Sequence, residues 1–141
     1  MCKNYISAEQ FFELNGKVQR AFTNWWKPAE GDLYCTRNVY DVIDVIVDVI
    51  NGKYNCIYGL ERDFLPEEIE INEDLIPLLQ IHQLIEFIEC KGYSWNKRGN
   101  FLDVDFAIDT GHEDGWTTNL SNINLLQALF QVACKIADWE V

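Results

Sequence analysis

The chain contains no apolar run approaching a membrane span, only three prolines, two histidines, and 11 bases against 23 acids. Each shortage removes a class of protein. A spanning helix needs about 20 consecutive apolar residues, and none is present. Met1-Cys2-Lys3-Asn4 leads into polar and amphipathic sequence without the apolar core of a signal peptide, so the expectation is a cytoplasmic protein. The shortage of bases argues against direct nucleic-acid binding, which needs a basic surface. With only His82 and His112, acid–base options are thin. The nucleotide-binding glycine patterns, GxSxG and HExxH are all missing. Cys2, Cys35, Cys56, Cys90 and Cys134 are widely separated, and none forms CxxC or stands near a histidine at zinc spacing. Cys56, Cys90 and Cys134 lie in apolar segments and read as small buried hydrophobes. No cofactor is expected, and the balance favours a non-enzymatic protein.

Apolar material, by contrast, is ample. Hydrophobic residues make up 48% of 141 residues and aromatics 13%, enough for a folded core. The length suits one compact domain, 1–141, with a subdivision into 1–74 and 75–141. The clearest element is Phe101 to Asp109. Leu102, Val104, Phe106 and Ile108 alternate with Asp103, Asp105, Ala107 and Asp109, the period of a strand with one buried face and one acidic face.

Around it the chain orders itself. Ser7-Ala8-Glu9-Gln10 reads as a capping box opening a helix to about Trp25, with Asn15-Gly16 as a weak point and Pro28 as the stop. Trp25 and Trp26 at its end are expected in the core. Asp32 to Thr36 is a short strand. Val39 to Ile50 is β-branched and ends in Asn51-Gly52, the strongest hairpin signal. Across that turn Val49, Val47 and Val45 are expected to meet Tyr54, Cys56 and Tyr58 on the apolar face. Leu75 to Leu79 is extended, because Pro77 bars a helix interior. A helix from about Gln80 to Lys91 carries Ile81, Leu84, Ile85 and Ile88 inward and Gln83, Glu86 and Glu89 outward, with Gly92 beyond its end. Short strands at Tyr93–Asn96 and Trp116–Leu120 flank the Phe101 strand. Ser121 or Asn122 caps a last helix running to about Trp139, whose polar stripe is Asn124, Gln127, Gln131, Lys135 and Asp138. The fold class is α+β: an antiparallel meander packed with two amphipathic helices, preceded by an N-terminal helix and a β-hairpin.

The net charge of −12 is concentrated. Glu61 to Asp74 holds seven acids and one base, and Phe101 to Gly115 five acids and no base, so the two segments supply −6 and −5. Such a field repels nucleic acid and favours basic protein surfaces. The plainer reading is that acidity keeps the protein soluble. Asp103, Asp105 and Asp109 form a rigid acidic set, and Glu67, Glu68 and Glu70, in an extended or looped and mostly solvent-facing connection, a flexible one. A metal-dependent enzyme built on Asp103 and Asp105 is the alternative chemistry, although no further ligands are marked and no base stands by for a phosphate.

From Leu75 onward the chain resembles small phage proteins described as having an α-β-α sandwich domain, found in clostridial and bacillus phages. The resemblance rests on Ile76-Pro77-Leu78-Leu79, on Gln83-Leu84-Ile85-Glu86-Phe87-Ile88, on the meander, and on Leu125-Leu126-Gln127-Ala128-Leu129. Trp25-Trp26-Lys27-Pro28 and Gly31-Asp32-Leu33-Tyr34 are similar to the front half of such proteins. The resemblance implies a small, cytosolic, non-enzymatic phage accessory protein and supplies no catalytic residues. Taken with the acidity, it suggests an inhibitor that binds a host protein with a basic surface, of anti-CRISPR or anti-restriction type. A structural or self-assembling homo-oligomer, using Trp25, Trp26 or the hairpin, is the alternative.

Overall fold

A computed structural model describes residues 4–57, 67–70, 74–106 and 116–139. It is an α+β fold whose chain clusters into two units, Ser7–Leu79 and Gln80–Val141 with Met1–Ile6.

The first unit opens with α1 (Ala8–Phe12) and α2 (Gly16–Trp25). The capping box at Ser7 and Gln10 forms as the sequence indicates. The expected single helix is divided at its weak point. Asn15 leaves the helical conformation and its Oδ1 accepts from the Val18 N–H at 2.9 Å, capping a new helix. The end of α1 is stabilised by Gln19, whose Nε2 donates to the Leu14 carbonyl at 2.9 Å. Val18 and Phe22 face the interior, and α2 ends at Trp26, two residues before Pro28.

Five antiparallel strands follow: β1 (Leu33–Thr36), β2 (Val39–Ile50), β3 (Lys53–Ile57), β4 (Glu67–Ile69) and β5 (Leu75–Pro77), in the order β4-β3-β2-β1-β5. The Asn51-Gly52 hairpin is present, with both residues at positive φ, 53° and 76°. Val49 pairs with Tyr54, and Asp48 with Asn55, as expected. The register then shifts between Ile46 and Asp48, so Cys56 faces Ile46 rather than Val47. This bulge brings Ile46, in place of Val47, to the buried face opposite Cys56. Ile46 and Cys56 are fully buried, and Val49 is 41% exposed. The core here is Trp26, Tyr34, Ile46, Cys56 and Leu75, with Trp25, Tyr54 and Ile69 packed against it. Both tryptophans therefore serve the core.

One carboxyl oxygen joins the helical layer to the sheet. Asp32 is buried, and its Oδ2 accepts from the Trp26 indole N–H at 2.9 Å and from the Ala29 backbone N–H at 2.9 Å. The same turn is held by backbone bonds from Gly31 N to the Ile46 carbonyl and from Ile46 N to the Asp32 carbonyl.

The second unit has α3 (Ile81–Cys90), a meander of β6 (Tyr93–Arg98), β7 (Phe101–Phe106) and β8 (Trp116–Asn119), and α4 (Leu125–Trp139). Leu102 and Val104 of β7 are fully buried, as their alternation requires. The β6–β7 turn is tighter than expected, reduced to Gly99-Asn100, with Gly99 at φ 60°. In α3 the buried stripe is Leu84, Phe87 and Ile88 with Gln83, while Ile81 is exposed. Gln83 turns inward because its Oε1 accepts from the Gln80 N–H at 2.8 Å, satisfying an otherwise orphaned donor at the helix start. Gly92 follows at φ 90°, as a helix terminator should. The last helix is capped by Asn124, not by Ser121 or Asn122: its Oδ1 accepts from the Gln127 N–H at 2.9 Å. Ser121 is engaged with Asn100 instead.

Replacing Asp32 by alanine leaves the buried indole N–H and the Ala29 N–H without their acceptor. The D32A variant is expected to lose about 2–3 kcal/mol of stability. Urea denaturation measures this, and D32N, which keeps an acceptor oxygen, should lose less.

Candidate functional site

The two acidic sets differ in what surrounds them. Asp103 lies on β7, the central strand of the meander, in a cross-strand row with Asn96 and Thr117. Arg98 Nε donates to one carboxylate oxygen at 3.0 Å and Thr117 Oγ1 to the other at 2.9 Å. The Arg98 hydrogen bond, then that of Thr117, holds the Asp103 carboxyl below its ordinary value of 3.8. Arg98 is itself positioned over the Phe101 ring, 5.1 Å from its centroid. The expected bare acidic face is therefore locally neutralised at Asp103. The backbone of Asp105 pairs with Ser94. Asp109 lies outside the described residues.

Glu67 and Glu68 stand on β4, the strand that ends the described sheet beyond β3, and both are exposed. Glu70 follows directly and is also exposed. Ile69 between them packs against the core and pairs with Tyr54. In place of the flexible connection expected, a short strand is thus anchored by one apolar side chain, with Glu67 and Glu68 exposed on it and Glu70 exposed just beyond its end. Acidic side chains on such an edge also discourage pairing with another strand.

Other candidates resolve as follows. His82 is exposed in the first turn of α3, and His112 lies outside the described residues. Among the described residues, no group of three or more His, Cys, Asp and Glu side chains is placed to hold a metal ion. No described helix is long and apolar enough to cross a membrane. Cys56 is buried as expected, but Cys90, the last residue of α3, is exposed, and Cys134 is only half-buried. Burial raises the Cys35 thiol to about 11, helped by nearby Asp44, and raises the Cys134 thiol to about 12. Both are protonated at neutral pH and poor nucleophiles.

A concavity that the acidic pattern did not indicate lies in the first unit. It has a volume of about 530 Å³ and is lined by Gly16, Gln19, Arg20, Thr23, Arg37 and Asp74. Four of these recur along one face of α2, opposite Val18 and Phe22. Their spacing was visible in the sequence, but a polar helix face is ordinarily solvated, and nothing local linked it to Arg37.

No family model, no characterised protein and no solved structure matches this chain.

Two predictions follow from these environments. Because the folded Asp103 carboxyl titrates below its unfolded value, the folded state binds fewer protons there. Its contribution to stability is full above 3.8 and is lost as pH falls through the lowered value. A carboxyl NMR titration should place Asp103 below the usual range, and R98Q should return it toward that range. In native protein at pH 7, iodoacetamide should modify Cys90 well before Cys35, Cys56 or Cys134, read by peptide mass spectrometry; equal rates would contradict the described burial.

Proposed function

We propose that this protein is a non-enzymatic binding protein that covers a basic surface on a nucleic-acid-handling partner. This is the anti-CRISPR or anti-restriction type of role that the phage-like pattern implies, exerted in the host cytoplasm. The observation that carries the reading is the exposed pair Glu67 and Glu68 on β4, whose Ile69 packs against the core, with Glu70 exposed just beyond the strand. It belongs to a chain of net charge −12, which repels nucleic acid itself. Carboxylates projecting from a sheet edge can occupy the sites where a partner's Lys and Arg would otherwise meet phosphates. Such contacts accelerate association and select for basic surfaces. Asp103 contributes less, because Arg98 and Thr117 already engage both of its oxygens.

The test is capture of partners from a bacterial host lysate treated with nuclease, using the full chain and an E67K/E68K/E70K variant. A nucleic-acid-handling protein is expected with the native chain, released by high salt and lost with the variant, whereas D103K reduces recovery only modestly. Equal recovery by the triple variant would overturn the acidic-edge mechanism. Recovery of the bait alone, with sedimentation showing an oligomer, would favour self-assembly instead.

A further inference from the structure

The concavity beside α2 has a charge character opposite to that of the whole chain. Its lining carries two guanidiniums and one carboxylate, a formal balance of 2 − 1 = +1, in a protein of net charge −12. The two cations come from different elements. Arg20 projects from α2, and Arg37 from the turn between β1 and β2. Among the described residues, neither guanidinium makes an ion pair. Both are nevertheless held in place.

Arg37 is fixed twice. Its backbone N–H donates to the Asp74 carbonyl at 2.7 Å, which ties the turn to the residue before β5. Its guanidinium lies over the Phe12 ring, 5.8 Å from the centroid. Arg20 folds back along its own helix over Gly16. A Cβ at that position would stand 3.0 Å from Arg20 Nη1, so the guanidinium tip would have to give by a few tenths of an ångström. The remaining lining groups are mostly acceptors. Gln19 commits its Nε2 to the Leu14 carbonyl and retains Oε1. Thr23 donates its hydroxyl to the Arg20 carbonyl at 3.2 Å and retains its lone pairs.

We propose that this pocket binds a small phosphate monoester bearing hydroxyl groups, of the size of a sugar phosphate or a mononucleotide. Two planar guanidinium forks suit the oxygens of one phosphate better than a single lysine or a lone arginine does. Gln19 and Thr23 supply acceptors that sugar hydroxyls require. The volume of about 530 Å³ falls within the usual range of small-molecule sites, roughly 300–1,000 Å³. Asp74 on the rim and the acidity of the chain as a whole disfavour a polyanion. The inference stands apart from the acidic edge, and neither depends on the other.

Isothermal titration of the full chain with ribose 5-phosphate, adenosine 5′-monophosphate, inorganic phosphate, adenosine and acetate tests it. Saturable binding is expected for the two phosphate monoesters, weaker binding for inorganic phosphate, and none for adenosine or acetate. Arg20 and Arg37 are exposed, so R20Q and R37Q should fold normally by circular dichroism. Each should weaken binding about tenfold or more, the loss of one charged hydrogen-bonding group. G16A retains both charges and shifts the Arg20 tip by only a few tenths of an ångström, so it should weaken binding far less than R20Q. No saturable binding of either monoester, equal binding of acetate, or unaltered affinity in R20Q and R37Q would each overturn the proposal.

Discussion

The buried carboxyl of Asp32 constrains the first unit more than any other polar group described. A single oxygen receives both the Trp26 indole and the Ala29 backbone N–H. Trp26 is where α2 stops, so the bond decides the direction in which the chain leaves the helix. Asp32 is also where β1 is about to start, and its backbone carbonyl pairs with Ile46 of β2. The tight segment 26–32 therefore sets the helix against the sheet. Tyr34 then lies beside Trp26, with ring centroids 6.4 Å apart, and the core of Ile46, Cys56 and Leu75 closes around them. Burying a carboxyl is costly unless its oxygens are satisfied. Here the cost is offset by two donors that would themselves be orphaned without it, which makes the three groups mutually dependent.

Features written by neighbouring residues were legible in the sequence. Ser7 and Gln10 form their box, Asn51-Gly52 makes its hairpin, Gly92 ends its helix, and Leu102 and Val104 are buried by simple alternation. In each case the deciding chemistry lies within a few positions. The departures share a different cause. The bulge between Ile46 and Asp48 sets Ile46, and not Val47, opposite Cys56, a shift that the local pattern does not announce. Gln83 is buried because it answers the Gln80 N–H, a need that polarity scales do not register. Cys90 is exposed because the inward stripe of α3 runs through Leu84, Phe87 and Ile88. Pairing of β5 with β1 joins segments distant in the chain, and no local signal announces it.

The same distinction governs the charged surface. Counting acids along a segment treats every carboxylate alike, yet Asp103 and Glu67 occupy opposite situations. Asp103 sits in the middle of a sheet, where Arg98 and Thr117 on the neighbouring strands are brought to it by register. Glu67 and Glu68 sit on a strand paired on one side only among the described strands, so the positions where such partners would stand are absent on the other. Sheet position, and not sequence density, separates an internally compensated acid from one presented outward. The pocket beside α2 was hidden for the complementary reason. Its helical stripe of Gly16, Gln19, Arg20 and Thr23 looks like any solvated face until Arg37 and Asp74 are folded opposite it.

An acidic protein with a small basic recess is physically consistent, because the two charge scales act over different distances. At physiological ionic strength exposed charges are screened over about 8 Å. A long polyanion lies across many carboxylates at once and feels their sum. A single phosphate within a recess feels chiefly the guanidiniums that contact it. If both proposals hold, the carboxylates on β4 and the recess beside α2 take different ligands within one unit: an extended basic surface for the former, and a compact anion for the latter. A charge balance that disfavours a polyanion across the whole surface leaves a single phosphate in the recess to its local field.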